Sequence, residues 1–178
     1  LNGTLWLNDG SSYWGGWRGD VMHGKGIMWH PNGDAYYGAW ANSQRHGSGN
    51  LNYADGSEYS GDFEKGKRSG TGILVSPDGS HITSGIWKDD ELLSGYKGEW
   101  DGRTYSGRGL MTLSDGTSYD GLWISGLRSF FGIERFRDGL KYVGAWRRDK
   151  PEGMGYLTYG DEKGNNIVIP ASEAASYT

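Results

Sequence analysis

Few side chains in this sequence could do chemistry, and their spacing says what each is fit for. His23 and His46 both stand ten residues after a tyrosine, Tyr13 and Tyr36. A zinc site needs three or four converging ligands. No third histidine or carboxylate lies at ligand spacing, so a hydrogen-bonded turn role is expected and no metal. Carboxylates cluster at Asp89-Asp90-Glu91 and Asp161-Glu162, in polar stretches with nothing to raise a pKa for acid–base work. Cysteine is absent, which removes thiolate nucleophiles and zinc-finger ligands. No Ser-His-Asp set stands out by spacing. Gly15-Gly16-Trp17-Arg18-Gly19 and His23-Gly24-Lys25-Gly26 are glycine-rich, yet neither has the Gly-Lys-Ser/Thr ending or the following helix that a phosphate loop requires. The expectation is a non-catalytic chain without cofactor or metal.

Arg45, Arg68 and Arg128 recur nine residues after a tyrosine, with Lys67, Arg147, Arg148 and Lys150 nearby. Cations repeated along one edge could meet membrane phosphates or an acidic partner. These three are the candidate anion or lipid contacts. Against that, Met22, Tyr105 and Pro151 fill the same phase elsewhere, which favours solvated turn residues. The formal charge of −4, with acids and bases interspersed, gives no basic face for nucleic acid. No run approaches the roughly 18 apolar residues of a membrane span.

The frame that must position all of these is a repeat. Tyr-x-Gly-x-Trp heads open at Tyr13, Tyr36 and Tyr59, then at Tyr96, Tyr119 and Tyr142, at intervals of 23 residues within each set. Phe63 replaces the third tryptophan, and a degenerate head, Thr83-Ser84-Gly85-Ile86-Trp87, sits one residue out of phase. Gly-x-Gly follows each head, as in Gly24/Gly26 and Gly47/Gly49; the repeat headed by Tyr119 has Phe130 at the first of these positions. An Asx-Gly pair comes next, as in Asn32-Gly33 and Asp55-Gly56. A fixed period of this length marks stacked supersecondary units, and Asx-Gly between alternating runs marks hairpins. Two turns per repeat give two antiparallel strands.

Register follows from the apolar positions. A three-residue loop, Pro31-Asn32-Gly33, with Gly33 left-handed, sets Met28 opposite Tyr36, Gly26 opposite Gly38 and Gly24 opposite Trp40. A two-residue loop would pair Trp29 with Tyr36 and move the apolar set to the wrong face. With the longer loop the Tyr and Trp rings form one ladder over bare glycine backbone. Trp6, Trp14, Ile27, Trp29 and Tyr37 then point away from that ladder in neighbouring strands, where the next repeat has polar Asn50, Asn52 and Ser60. Exposed aromatic clusters mark interfaces, so these five are the candidate partner-binding residues.

The rhythm slips between Tyr59 and Tyr96. One reading is a clipped repeat at Thr83–Trp87, with phase resuming at Tyr96. The other makes Tyr105 the next head and Tyr96–Trp100 a second strand. The first keeps the glycine phase and is preferred. A bend at about 83–95 is expected, within an array covering 1–165. Residues 166–178 read as a C-terminal cap or linker, with Ile167-Val168-Ile169 as a short β-branched run. Gly3, Asp9 and Gly10 fall at the phases of Gly26, Asn32 and Gly33, so the chain opens in mid-repeat and reads as a piece of something longer.

The four markers recurring in phase resemble the MORN (membrane occupation and recognition nexus) repeat over about Leu1 to Asp161. Departures are Phe63, Phe130, Glu134 at an apolar position and the clipped repeat. The resemblance implies an all-β, elongated, single-layer antiparallel sheet of stacked 23-residue hairpins. Family members serve in junctional membrane proteins, phosphoinositide kinases, ciliary and cytoskeletal scaffolds, exchange factors and a lysine methyltransferase, with the repeats themselves not acting as the catalyst. The expected function is therefore a protein-interaction scaffold, cytoplasmic, cytoskeletal, ciliary or membrane-peripheral. Its partner would be a helix or extended segment on the sheet face, or a strand added at an open edge. The alternatives are a peripheral anionic-lipid module and the regulatory arm of an enzyme lying outside this chain.

Overall fold

The computed structural model describes residues 2–160 and 166–170, and all of its regular elements are strands. The chain divides into two compact units, Leu1–Leu93 and Ser94–Thr178. The first holds β1 (Asn2–Trp6), β2 (Ser12–Arg18), β3 (Val21–Trp29), β4 (Ala35–Ala41), β5 (Gln44–Asn52), β6 (Glu58–Glu64), β7 (Lys67–Val75) and β8 (His81–Lys88). β9 (Glu91–Trp100) crosses the division; β10 (Tyr105–Thr112), β11 (Ser118–Ile124), β12 (Leu127–Arg135), β13 (Lys141–Arg147), β14 (Lys150–Gly160) and β15 (Asn166–Pro170) follow. Within each unit the strands are antiparallel and hydrogen-bonded in sequence order, an all-β open sheet of stacked hairpins.

The register is the one the apolar spacing requires. Met28 faces Tyr36, Gly26 faces Gly38 and Gly24 faces Trp40. The loop closes through His30 N–H to Asp34 O at 2.9 Å and Gly33 N–H to His30 O at 3.0 Å, with Gly33 at φ +99. That left-handed residue is what lets three loop residues join strands without splaying them. The second turn of a repeat is shorter, except after Trp100, where Asp101 to Thr104 join it to Tyr105. Ala41 pairs with Gln44 across Asn42-Ser43, both left-handed at φ 51 and 60, the primed turn that matches strand twist.

Alternation puts Tyr, Gly and Trp of each head on one face, where the rings interlock edge to face. Tyr36 lies 5.3 Å from Trp40 of its own repeat and 5.0 Å from Phe63 of the next. Tyr119 lies 5.1 Å from Trp123 and 5.3 Å from Trp146 in the same way. Each phenol folds back over the glycine row and donates to a backbone carbonyl three residues on, as Tyr36 does to Ala39 O at 2.8 Å. The indoles of Trp17, Trp40, Trp87 and Trp123 donate to a glycine carbonyl one strand back, as Trp40 does to Gly26 O at 3.2 Å and Trp123 to Gly109 O at 3.0 Å. These polar tips are satisfied inside an apolar layer, which is what permits Tyr and Trp to fill it.

Burial raises the phenol pKa of Tyr36, Tyr59, Tyr96 and Tyr119 to about 12. An unfolded tyrosine ionises near 10. The folded pKa is the higher one, so this stabilisation is complete below about pH 10 and is lost as pH rises through about 12. Thermal melts followed by circular dichroism should show a midpoint falling over that interval. A midpoint that holds steady between pH 10 and 12 would contradict the buried ladder.

The slip in rhythm has a local cause. Ser76 N–H bonds His81 O, one residue farther than the equivalent His30–Asp34 bond spans. The extra loop residue moves Thr83 into the tyrosine phase, opposite Leu74, while Trp87 still reaches Tyr59 at 5.5 Å. Phase resumes at Tyr96, fully buried, with Tyr105 stacked on it at 4.0 Å. Tyr96 is thus a head, and the alternative that made Tyr105 the head does not hold. At the C-terminal end β15 pairs with β14, Leu157 opposite Ile169, so the β-branched run adds a strand. Residues 161–165, with Asp161 and Glu162, and the linker reading of 171–178 lie outside the described residues.

Candidate protein-interaction surface

The face opposite the ladder carries the five aromatic and aliphatic candidates, and the strand register brings them together. Trp14, Ile27 and Tyr37 are direct cross-strand neighbours on β2, β3 and β4. Trp6 and Trp29 both face Ser12, one from each side. Each Trp therefore has another ring of the set on its diagonal, within reach of large side chains. Trp6 is 76% exposed, Tyr37 56%, Trp14 48% and Trp29 45%. Trp14, Ile27 and Tyr37 also line a shallow cleft of about 450 Å³ with Lys25 and His23 on its margin. Beyond β4 the rows turn polar. Tyr37 faces Asn50, Asn50 faces Ser60, and Ser60 Oγ donates to Asn50 Oδ1 at 3.0 Å.

Arg45, Arg68 and Arg128 occupy a different environment from the one their spacing suggested. Each guanidinium wedges between the tyrosine of its own repeat and the large ring of the next. Arg68 lies 5.6 Å from the Tyr59 ring and 4.4 Å from Trp87; Arg128 lies 5.6 Å from Tyr119 and 4.1 Å from Trp146. Arg45 sits over Tyr36 and Phe63 at 5.7 and 5.3 Å. Each gives a donor to a carbonyl of the following turn: Arg45 to Gly66 O at 2.6 Å, Arg68 and Arg128 to the carbonyls of Asp90 and Asp149, both at 2.9 Å. The turn answers with its own N–H, Gly66 to Arg45 O at 2.9 Å and Asp149 to Arg128 O at 3.1 Å. Met22 and Tyr105 hold this wedge in their repeats, receiving the N–H of Ser43 and Gly126, both at 3.0 Å. The position ties each of these repeats to the turn of the next. It also accounts for Glu134, whose carboxylate takes the 2.6 Å hydrogen bond of Arg128 where other repeats have an apolar side chain.

His23 on β3 and His46 on β5 are separated by β4, and among the described residues no group of three or more His, Cys, Asp or Glu side chains could hold a metal ion.

A second exposed apolar group lies in the other unit and does not follow from the repeat pattern. Phe130 is 65% exposed and Phe131 58%, with Ile124 at 49% and Leu127 at 37%. Phe130 has φ +57, where the matching Gly24, Gly47, Gly70, Gly107 and Gly153 have φ from +65 to +81. A left-handed conformation costs an L-residue about 1–2 kcal/mol. The signal was present in the sequence as a phenylalanine in a glycine phase; its exposure and its neighbours were not.

Comparison with known proteins places the repeats. No curated protein sequence matches the chain. Among solved structures it aligns with the SAS-4 (dCPAP) TCP domain of Drosophila Melanogaster, solved in complex with a proline rich motif of Ana2 (dSTIL). That alignment has 12% identity, covers 96% of this chain and 79% of that one, and has a TM-score of 0.31. It also aligns with the G-box domain of the microcephaly protein CPAP at 12% identity, covering 95% and 98% of the two chains, with a TM-score of 0.46. The MORN repeat model matches residues 13–35, 36–58, 59–81, 96–118, 119–141 and 142–162. Each of those blocks begins on a buried ladder tyrosine, and the internal interval left unmatched, 82–95, follows the loop whose extra residue breaks phase; the chain belongs to the MORN repeat family.

Proposed function

We propose that this protein is a non-catalytic interaction scaffold, a structural module of a larger cytoskeletal, ciliary or membrane-associated assembly, which receives a helix or an extended segment of a protein partner on the outer face of β1 to β4. One observation carries this reading: Trp6, Trp14, Ile27, Trp29 and Tyr37 are joined in adjoining rows on a face where the following repeat carries hydrogen-bonded Asn50 and Ser60. Large, rigid rings at partial exposure are the residues that dominate binding energies at interfaces. An anionic-membrane role draws less support from Arg45, Arg68 and Arg128, since each commits a donor to a carbonyl of the following turn.

The test is a cross-linking pull-down with the intact array and with Trp14 and Trp29 both changed to Ser. Both side chains are on the outer face, so the variant should melt within a few degrees of the parent. Loss of the captured partners, at a cost of at least tenfold in affinity on reconstitution, is the expected result. Equal capture by both proteins would refute the assignment of this face. Liposome flotation that depends on anionic lipid and weakens with salt would transfer the role to membranes.

A further inference from the structure

We propose that the edge of the second unit around Phe130 is a separate docking groove, built for a protein segment that presents a large apolar side chain flanked by carboxylates. It is independent of the aromatic face on β1 to β4.

Three departures from the repeat coincide there. The first is Phe130 itself, a bulky residue held left-handed where glycine would sit without strain. Strain of this kind persists only where the surrounding structure enforces it, and it clusters at functional sites. The second is the turn pair Ile124 and Leu127. Their counterparts are Arg18 and Val21, Ala41 and Gln44, Glu64 and Lys67, and Arg147 and Lys150, and in none of these pairs are both residues apolar. The third is the indole of Trp146. Trp40, Trp87 and Trp123 each donate to a glycine carbonyl, whereas Trp146 Nε1 is buried with no acceptor among the described residues. These residues border one cavity of about 810 Å³, lined by Ile124, Leu127, Phe130, Ala145 and Trp146, with Arg147 and Arg148 on its rim.

The charge on that rim identifies the occupant. Asp149 is engaged by Arg128 at 3.2 Å and Glu152 by Arg147 at 2.7 Å, so both acids of this turn are already paired. Arg148 and Lys150 are exposed beside them. An apolar groove edged by Arg148, with Arg147 and Glu152 paired beside it and Lys150 on the same turn, favours an apolar side chain with neighbouring Asp or Glu, and disfavours a basic segment by like-charge repulsion.

The experiment uses the full chain and synthetic 15-residue peptides. One carries Leu and Phe flanked by Asp and Glu; a second has Lys in place of the acids; a third has Ser in place of the apolar residues. Fluorescence polarisation should show saturable binding of the first alone. Phe130→Gly should weaken it at least tenfold while leaving the melting temperature unchanged or higher, since glycine relieves the strain. Arg148→Asn, which suits a left-handed turn, should weaken it at least threefold. In a ¹⁵N spectrum the Trp146 indole N–H should shift on binding. Equal binding of the Lys peptide, undiminished binding by Phe130→Gly, or no binding by any peptide would overturn the proposal. So would a Phe130→Gly protein of lower melting temperature, which would make Phe130 a packing residue. Phe130-dependent binding to phosphatidylserine vesicles in place of peptide would overturn it in favour of a lipid surface. None of these readouts involves Trp14 or Trp29, so this groove and the first-unit face can fail separately.

Discussion

Trp123→Ala is expected to cost about 3–5 kcal/mol, the range for removing a fully buried aromatic. Trp123 is 6% exposed and holds three rings: Tyr119 at 5.1 Å, Tyr96 at 5.6 Å and Tyr105 at 5.8 Å. Its Nε1 also donates to Gly109 O at 3.0 Å, so truncation leaves that carbonyl without its partner. In a layer one residue thick, no second tier of side chains can collapse into the space. Stacked repeats depend on nearest-neighbour contacts, so the damage should spread to the hairpins on either side before it reaches the rest of the array. Urea denaturation followed by hydrogen exchange is the suitable measurement. Protection should be lost first in β9 to β12. A loss below about 1 kcal/mol would mean that the ladder is decorative and stability resides in the backbone pairing.

The second large effect is expected from the smallest change. At Gly38 an added Cβ would lie 2.6 Å from Gly49 Cα and would collide with the Tyr36 hydroxyl. Tyr36 is fully buried and its hydroxyl is held by Ala39 O, so it has nowhere to swing. The other obstacle is backbone on the adjoining strand, which can yield only by opening the pair. Overpacking ordinarily costs about 1–3 kcal/mol, and Gly38→Ala should fall at or above the top of that range. Gly19→Ala is the comparison. Its Cβ would meet nothing within 4 Å, so only the φ of +58 opposes it, at about 1–2 kcal/mol. Chemical denaturation of the two variants would show the difference. If Gly38→Ala were the milder of the two, close approach of phenol to backbone would not be why glycine stands there.

Much of this was legible in the residues because it is local and periodic. Alternation assigns faces, a one-residue slip would reverse them, and the position of Met28 relative to Tyr36 therefore decided the loop length that the hydrogen bonds of His30, Gly33 and Asp34 display. The same logic put Trp14, Ile27 and Tyr37 side by side on the outer face. The arginines were less legible. Spacing reveals that Arg45, Arg68 and Arg128 recur, but a guanidinium reaches the turn of the next repeat, about 22 residues on in the case of Arg68 and Asp90. Whether its donors meet solvent or a carbonyl depends on that turn arriving within hydrogen-bond distance.

The amino-acid order alone determined the family, the hairpin as the building unit, its register, and the identity of the rings in the ladder, because each depends on residues within one 23-residue period. Tertiary structure decided what happens between periods. It made the arginines locks, gave Glu134 its partner, and placed Phe130, Ile124, Leu127 and an unsatisfied Trp146 around one groove. Those outcomes rest on distances between side chains of different repeats, and no spacing along the chain contains them.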